Sequence, residues 1–268
     1  MFSIKRYSVK NEGLIPWIRY IWYFKQENAN ISHKLLPTDC IDLIINLSNN
    51  IIYETDLEKI IAPHIHINGL RDKYSYIHQT GNICIFGISF YSFGLYPFVN
   101  KSLESIQNKI INVNTLSFSL AQKLEKVVSK DATEDTIILI EKVLCSELEI
   151  KNNYIYQAKI IRDFIESEDE ITIKSFCYEY GINIKTFERM FLRYTGYTPK
   201  KLRRIKRFQT ISNQLVHQNH HLLDITYDNN YTDQSHLIKD FNNFSGKAPL
   251  SFLKEKATIK ENSKYSYI

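Results

Sequence analysis

The 268-residue chain has no long apolar run: even Ile41 to Leu47 is broken by Asp42 and Asn46, far short of the roughly 20 apolar residues a membrane helix requires. Its first residues, Met1-Phe-Ser-Ile-Lys-Arg-Tyr7, lead into neither an apolar segment nor a small-residue cleavage site, so no secretory signal peptide and no membrane partner are expected. Cysteine is sparse and scattered. Cys40, Cys84, Cys145 and Cys177 form no Cys-x-x-Cys pair, which argues against a disulfide framework or zinc knuckle and for a reducing, cytoplasmic setting. Catalytic constellations are also wanting. Asp39 and Asp42 have no evident nucleophile, second base or oxyanion donor beside them, and no cysteine cluster is available to activate a thiolate. His64-x-His66 would share one face of a strand, yet it lacks the glycine and glutamate pattern of a cupin metal site. The expectation is no enzyme, no metal and no cofactor.

The formal net charge of +5 matters less than its placement. Residues 1–157 carry 16 Lys and Arg against 16 Asp and Glu, whereas residues 158–256 carry 16 against 12. The excess peaks at Lys200-Lys-Leu-Arg-Arg-Ile-Lys-Arg207, where six of eight residues are basic. A solvated helix face would explain that run alone; beside the motifs below, phosphate contact explains it better.

The periodicity divides the chain. Ile15–Phe24, Ile41–Leu47, Ile51–Tyr53, His64–Asn68, Tyr74–His78 and Ile83–Phe90 are short, aromatic and β-branched, the pattern of a small antiparallel barrel or sandwich. From Leu116 the apolar residues recur at helical spacing through Leu148, predicting two helices separated near 129–133. They either pack on the barrel or pair with a second subunit, leaving monomer and homodimer open. An α+β chain is thus expected: a β-rich sensing or dimerising domain over 1–150, a polar linker at 151–156, an all-α domain of about seven helices over 157–257, and a tail at 258–268. Helices are predicted near 157–167, 172–180, 184–194, 199–216, 222–229, 234–244 and 249–256. Trp17, Tyr20 and Trp22 are candidates to line an apolar ligand cavity, although core packing is the commoner use of such side chains.

The helical half nearly repeats itself after fifty residues. Asn183/Asp233, Phe187/Leu237, Arg189/Lys239, Phe191/Phe241, Tyr194/Phe244, Gly196/Gly246 and Pro199/Pro249 keep the chemistry of cap, core, cation, core, core, stop and restart. Each copy follows a shorter helical segment, giving helix-turn-helix spacing over 172–194 and 222–244. At 100° per residue, Phe187, Phe191 and Tyr194 share an inner face, while Lys185 and Arg189 point away. Candidate DNA contacts are Asn183, Lys185, Thr186 and Arg189 in the first unit and Thr232, Gln234, Ser235, His236 and Lys239 in the second. Lys185, Gln234 and His236 are expected to read bases; Lys200, Lys201, Arg203 and Arg204 are expected to position phosphates. A connecting helix of about 17 residues spans roughly 25 Å, suited to placing two recognition helices in successive major grooves about 34 Å apart.

Arg189-x-Phe191, Gly196-x-Thr198-Pro199, the basic connecting helix, Ile225, Tyr231-x-Asp233-Gln234-Ser235-His236-Leu237, Lys239-x-Phe241 and Gly246-x-x-Pro249 together resemble the C-terminal domain of AraC/XylS-type transcriptional regulators over about 100 residues. The resemblance implies a bacterial, cytoplasmic, nucleoid-associated regulator of promoters, with double-stranded DNA as partner and RNA polymerase and a small-molecule effector as further candidates. The resemblance is compatible with activation and with repression. Pro16-Trp17-Ile18-Arg19-Tyr20-x-Trp22, Leu36-Pro37-x-Asp39-x-Ile41-Asp42-Leu43-Ile44 and Gly87-Ile88-x-Phe90-x-x-Phe93-Gly94-Leu95 are more loosely similar to the sensory domain of one subgroup. Two departures stand out. Cys177 and Thr226 occupy positions usually held by a small alanine, and Asn230 replaces the usual glycine of the second turn, so that turn is expected to be less regular. The rival reading is a ligand-binding β-barrel or enzyme whose helical tail mediates protein contacts.

Overall fold

The computed structural model describes residues 4–128, 134–150, 152–167, 171–217 and 222–254. The predicted break near 129–133 and the tail at 258–268 lie outside them. Strands β1 (Lys5–Tyr7), β2 (Ile18–Leu35), β3 (Cys40–Asn46), β4 (Ile52–Glu54), β5 (Lys59–Ile61), β6 (Ile65–Asn68), β7 (Ser75–Tyr91) and β8 (Ile110–Asn112) form one antiparallel sheet. Its path is β1-β2-β7-β3-β6-β8, with β4 bridging β7 and β5. Two expected strands, near 74–78 and 83–90, are one continuous β7, and β2 runs beyond its expected end. These long partners stay paired from Ile18/Phe90 to Leu35/Ser75 because a register shift between Gln26 and Ala29 absorbs the polar interruption.

Register aligns side chains into rows. Ile21, Ile88, Leu43 and Ile67 lie side by side and are all fully buried. Tyr23, Phe86, Ile45 and Ile65 form the next row on that face. This face joins the main core, which includes residues from both halves of the chain. On the opposite face, Trp22, Ile44, Phe24 and Ile85 belong to a second, smaller core with Ile51, Tyr53 and Ala62. Beside it runs a polar row, Tyr20–Ser89–Asp42–Asn68, in which Ser89 donates its hydroxyl hydrogen to Asp42.

After β7 come α1 (Tyr96–Val99), a 3₁₀ turn (Leu103–Ile106), α2 (Val113–Leu116), α3 (Phe118–Val127) and α4 (Glu134–Glu147). Leu120, Leu124, Ile140 and Leu144 are fully buried, so the expected helix pair packs within its own subunit. Helix α5 (Asn152–Glu166) follows. The expected linker is therefore helical from Asn152 onward: Tyr154 is buried and turns what reads as a polar connector into the first turn of a packed helix. The remaining helices are α6 (Ile173–Glu179), α7 (Ile184–Thr195), α8 (Pro199–His217), α9 (Leu222–Asp228) and α10 (Gln234–Ser245), with 249–254 also helical.

Burial raises the pKa of Asp42 above its ordinary value, outweighing its hydrogen bond from Ser89 and the attraction of Arg19. A raised carboxyl pKa favours the protonated folded state; its stabilising effect is complete below the ordinary value near 4 and is lost as pH rises through the elevated one. Asp42→Asn, neutral throughout and still an acceptor for Ser89, should melt above wild type at pH 7, with the difference shrinking towards pH 4. A lower melting temperature for the variant at pH 7 would contradict this account.

Candidate nucleic-acid interface

Each recognition helix begins on a side-chain cap. Asn183 Oδ1 accepts from the Lys185 amide at 2.9 Å, and Asp233 Oδ1 accepts from the His236 amide at 2.8 Å. In the first unit Phe187 and Phe191 are fully buried, with ring centroids 5.1 and 5.4 Å from that of Phe164. In the second, Phe241 and Phe244 lie 5.0 and 5.1 Å from Phe208. These aromatic anchors fix which sides of α7 and α10 remain outside. Asn183, Lys185, Thr186 and Arg189 are exposed on the first unit; Thr232, Ser235, His236 and Lys239 are exposed on the second, with Gln234 half-buried beside them. Thr232 Oγ1 lies 3.4 Å from His236 Nδ1, and the His236 ring meets Tyr231 edge-on at 5.0 Å, so His236 is partly oriented before any ligand arrives.

The two turns share one hydrogen-bond pattern. Gly181 N–H donates to Tyr178 O and Ile182 N–H to Cys177 O; Asn230 N–H donates to Tyr227 O and Tyr231 N–H to Thr226 O. Asn230 takes the left-handed conformation, φ 56°, as Gly181 does at φ 63°. The expectation of a less regular second turn is therefore corrected. The turn instead accommodates one additional residue, Thr232, before the cap. Thr226 fits its fully buried position because its hydroxyl donates to Leu222 O, one helical turn earlier, at 2.7 Å.

The basic run on α8 differs from its expected role. Lys200 is exposed, but Lys201 pairs with Asp72 of the β6–β7 loop at 2.7 Å. Arg203 stacks 3.8 Å from the Phe164 ring centroid and donates to Ile171 O and, at 2.6 Å, to Ser167 Oγ. Arg204 grips Asp240 with two bonds, of 2.5 and 3.2 Å. Lys206 donates to Ile165 O, and Arg207 lies over the Tyr231 ring. Thus Arg203 and Arg204, read in sequence as phosphate contacts, tie α8 to α5 and α10. Their partners are the reason: α5 ends in carbonyls that need donors, and the Asp240 carboxylate is buried. Asp240 received no functional weight from sequence, because its pairing with Arg204 crosses 36 positions and no local spacing reveals it.

The proposed ligand aromatics do not line one space. Trp17 belongs to the main core and stacks on Tyr154 at 5.2 Å. Trp22 lies in the smaller core against Gly87, and Tyr20 is half-buried under the Arg6 guanidinium. Packing accounts for the placement of all three. His66 is fully buried; its ring nitrogens lie 3.0 Å from Tyr53 Oη and 2.7 Å from Pro63 O. Burial pushes its pKa down to about 4, with Arg71 adding to the shift and the Pro63 contact opposing it. The ring is neutral at pH 7.

Arg204→Ala should lower stability by about 1–3 kcal/mol, since it leaves a buried carboxylate with less than its full complement of donors; thermal melting measures this. Lys200→Ala should change melting little. Equal melting of both variants and wild type would return Arg204 to the pool of surface cations.

A family model described as a helix-turn-helix domain matches residues 176–255. Another, described as a domain of unknown function (DUF6597), matches residues 11–112. No curated protein matches the chain. Among solved structures, ToxT from Vibrio cholerae O395 is similar with 13% identity and a TM-score of 0.46, covering 95% of this chain and 96% of its own. The AraC-like transcriptional activator CuxR shows 14% identity and a TM-score of 0.31, covering 72% and 78% respectively. The matched residues, the paired caps and the hydrogen-bond pattern common to the two turns agree: residues 176–255 of this chain are a helix-turn-helix domain.

Proposed function

We propose that the chain is a sequence-specific regulator of transcription that reads promoter DNA in the cytoplasm with both units. The observation that carries this reading is the repetition of one exposed polar surface on two aromatic-anchored helices: Lys185, Thr186 and Arg189 on α7, and Ser235, His236 and Lys239 on α10. A single polar helix face is ordinary in any bundle. Two faces, each following the same cap and turn and connected through a 19-residue helix of roughly 28 Å, suit successive major grooves. We assign 157–257 to DNA binding and 1–150 to regulation; α5, which begins in the segment between them and continues to Glu166, packs against both. Lys185, Arg189, Gln234, His236 and Lys239 are the proposed base-facing groups. Lys200 is the proposed phosphate contact, and Arg203 and Arg204 support the readers from behind.

Full-length protein should bind promoter DNA with an affinity that falls steeply with salt. Lys200→Ala should weaken all sequences alike and reduce the salt slope by about one; Arg189→Ala should relax preference at one base position, costing about 1–3 kcal/mol there. Affinity that is independent of salt and of sequence would remove the regulator reading.

A further inference from the structure

The glycines that end the two recognition helices are both pressed against the N-terminal half. A Cβ on Gly196 would lie 2.7 Å from Leu103 O, and one on Gly246 would lie 2.3 Å from the Tyr74 ring. The two positions correspond in the fifty-residue repeat, so matching corners of both units are seated on the sheet domain. Their supports are one structure. Asn108 N–H donates to Leu70 O at 2.9 Å, Gly69 N–H to Lys109 O at 3.1 Å, and Asp72 N–H to Asn108 Oδ1 at 3.0 Å. Asn108 Nδ2 returns a bond to Asp72 Oδ1 at 2.9 Å. Segments 69–74 and 103–109 therefore form a hydrogen-bonded ledge.

The ledge holds each unit by a different contact. At the first, Tyr197 donates its hydroxyl hydrogen to Leu70 O at 2.9 Å and Lys201 pairs with Asp72. At the second, the Tyr74 ring lies against Gly246 and is itself fixed by Lys34 above its face at 4.1 Å and by a 3.3 Å bond from its hydroxyl to Asp56. None of these groups lies on the exposed faces proposed to read bases. Their placement constrains the angle and separation between the units, adding to the constraint from the helix α8 that joins them.

We infer that this ledge positions the two recognition helices for DNA, so that the spacing between the two half-sites is specified in part by the N-terminal half. The inference rests on the DNA-reading function proposed above. Joining two readers raises the effective concentration of the second only when both can engage together. A rigid ledge therefore favours one spacing and penalises others, whereas a loosened one spreads the same binding energy over several.

The test is selection of DNA from a random pool by the full chain, comparing wild type with the double variant Asp72→Asn, Tyr74→Ala. Both side chains are partly exposed, and circular dichroism verifies that the variant is folded. Wild type should recover two short boxes at one spacing. The variant should recover the same boxes over a range of spacings, with affinity for the wild-type spacing reduced by about tenfold. A folded variant that keeps the single spacing and full affinity overturns the positioning role, as does a folded variant that selects neither box. Failure of wild type to select any sequence overturns instead the DNA-reading function beneath it.

Discussion

The rest of the molecule leans on α5. Near its C-terminal end, Phe164 is fully buried and meets Phe176, Phe187 and Phe191 edge-on, while the Arg203 guanidinium covers its ring. Near its N-terminal end, Tyr154 stacks on Trp17, packs against Tyr96 and Tyr194, and donates to Phe93 O. One helix thus belongs to the core of the first helix-turn-helix and to the core of the sheet domain. No polar seam separates the two halves there, which is why a single buried cluster runs from Leu14 to Phe252. Arg193, on the recognition helix itself, donates to the Tyr96 hydroxyl at 2.9 Å. A displacement of α1 would reach α7 through two side chains.

That shared core also explains how the basic residues are used. A helix rich in Lys and Arg is usually judged by its charge, yet α8 runs past the end of α5 and the buried side of α10. The unpaired carbonyls of α5 and the carboxylate of Asp240 need donors, and a planar guanidinium can both donate and stack. Arg203 does both at once. Exposed lysines on the recognition helices cost little to place and keep their charge available. The division of labour follows burial: cations facing protein act as ties, and cations facing water keep their charge exposed.

Much of this was legible in the sequence. The caps Asn183 and Asp233, the anchors Phe191 and Phe241 and the stops Gly196 and Gly246 obey local rules, and α6 to α10 appear where those rules place them. The strands were legible in kind but not in length, since Glu27-Asn28 and Gly81-Asn82 look like breaks in one dimension and form opposed irregularities in two. The polar composition of 151–156 hides a helical turn because Tyr154 finds its partners at Trp17 and Phe93, which sequence spacing cannot bring together. Arg203 and Arg204 likewise find partners far away in sequence, at Phe164, Ser167 and Asp240. Composition reports that a charge exists, whereas its use depends on what the fold sets opposite.

The left-handed positions carry the same lesson in finer detail. Four of them punctuate the helix-turn-helix units: the turns at Gly181 and Asn230 and the caps at Gly196 and Gly246. Positive φ alone asks for glycine but admits asparagine at modest cost. At Gly181 an added Cβ would meet nothing within 4 Å, and the corresponding turn is indeed built with Asn230. At Gly196 and Gly246 the ledge stands within 2.7 and 2.3 Å of that Cβ position, so a residue that satisfies φ would still collide with a carbonyl oxygen or an aromatic ring. Asparagine can therefore replace glycine where the backbone alone makes the demand, and not where the sheet domain leans on the helix end. The choice between the two residues records, within the repeat itself, which corners of the DNA-binding half are held from outside.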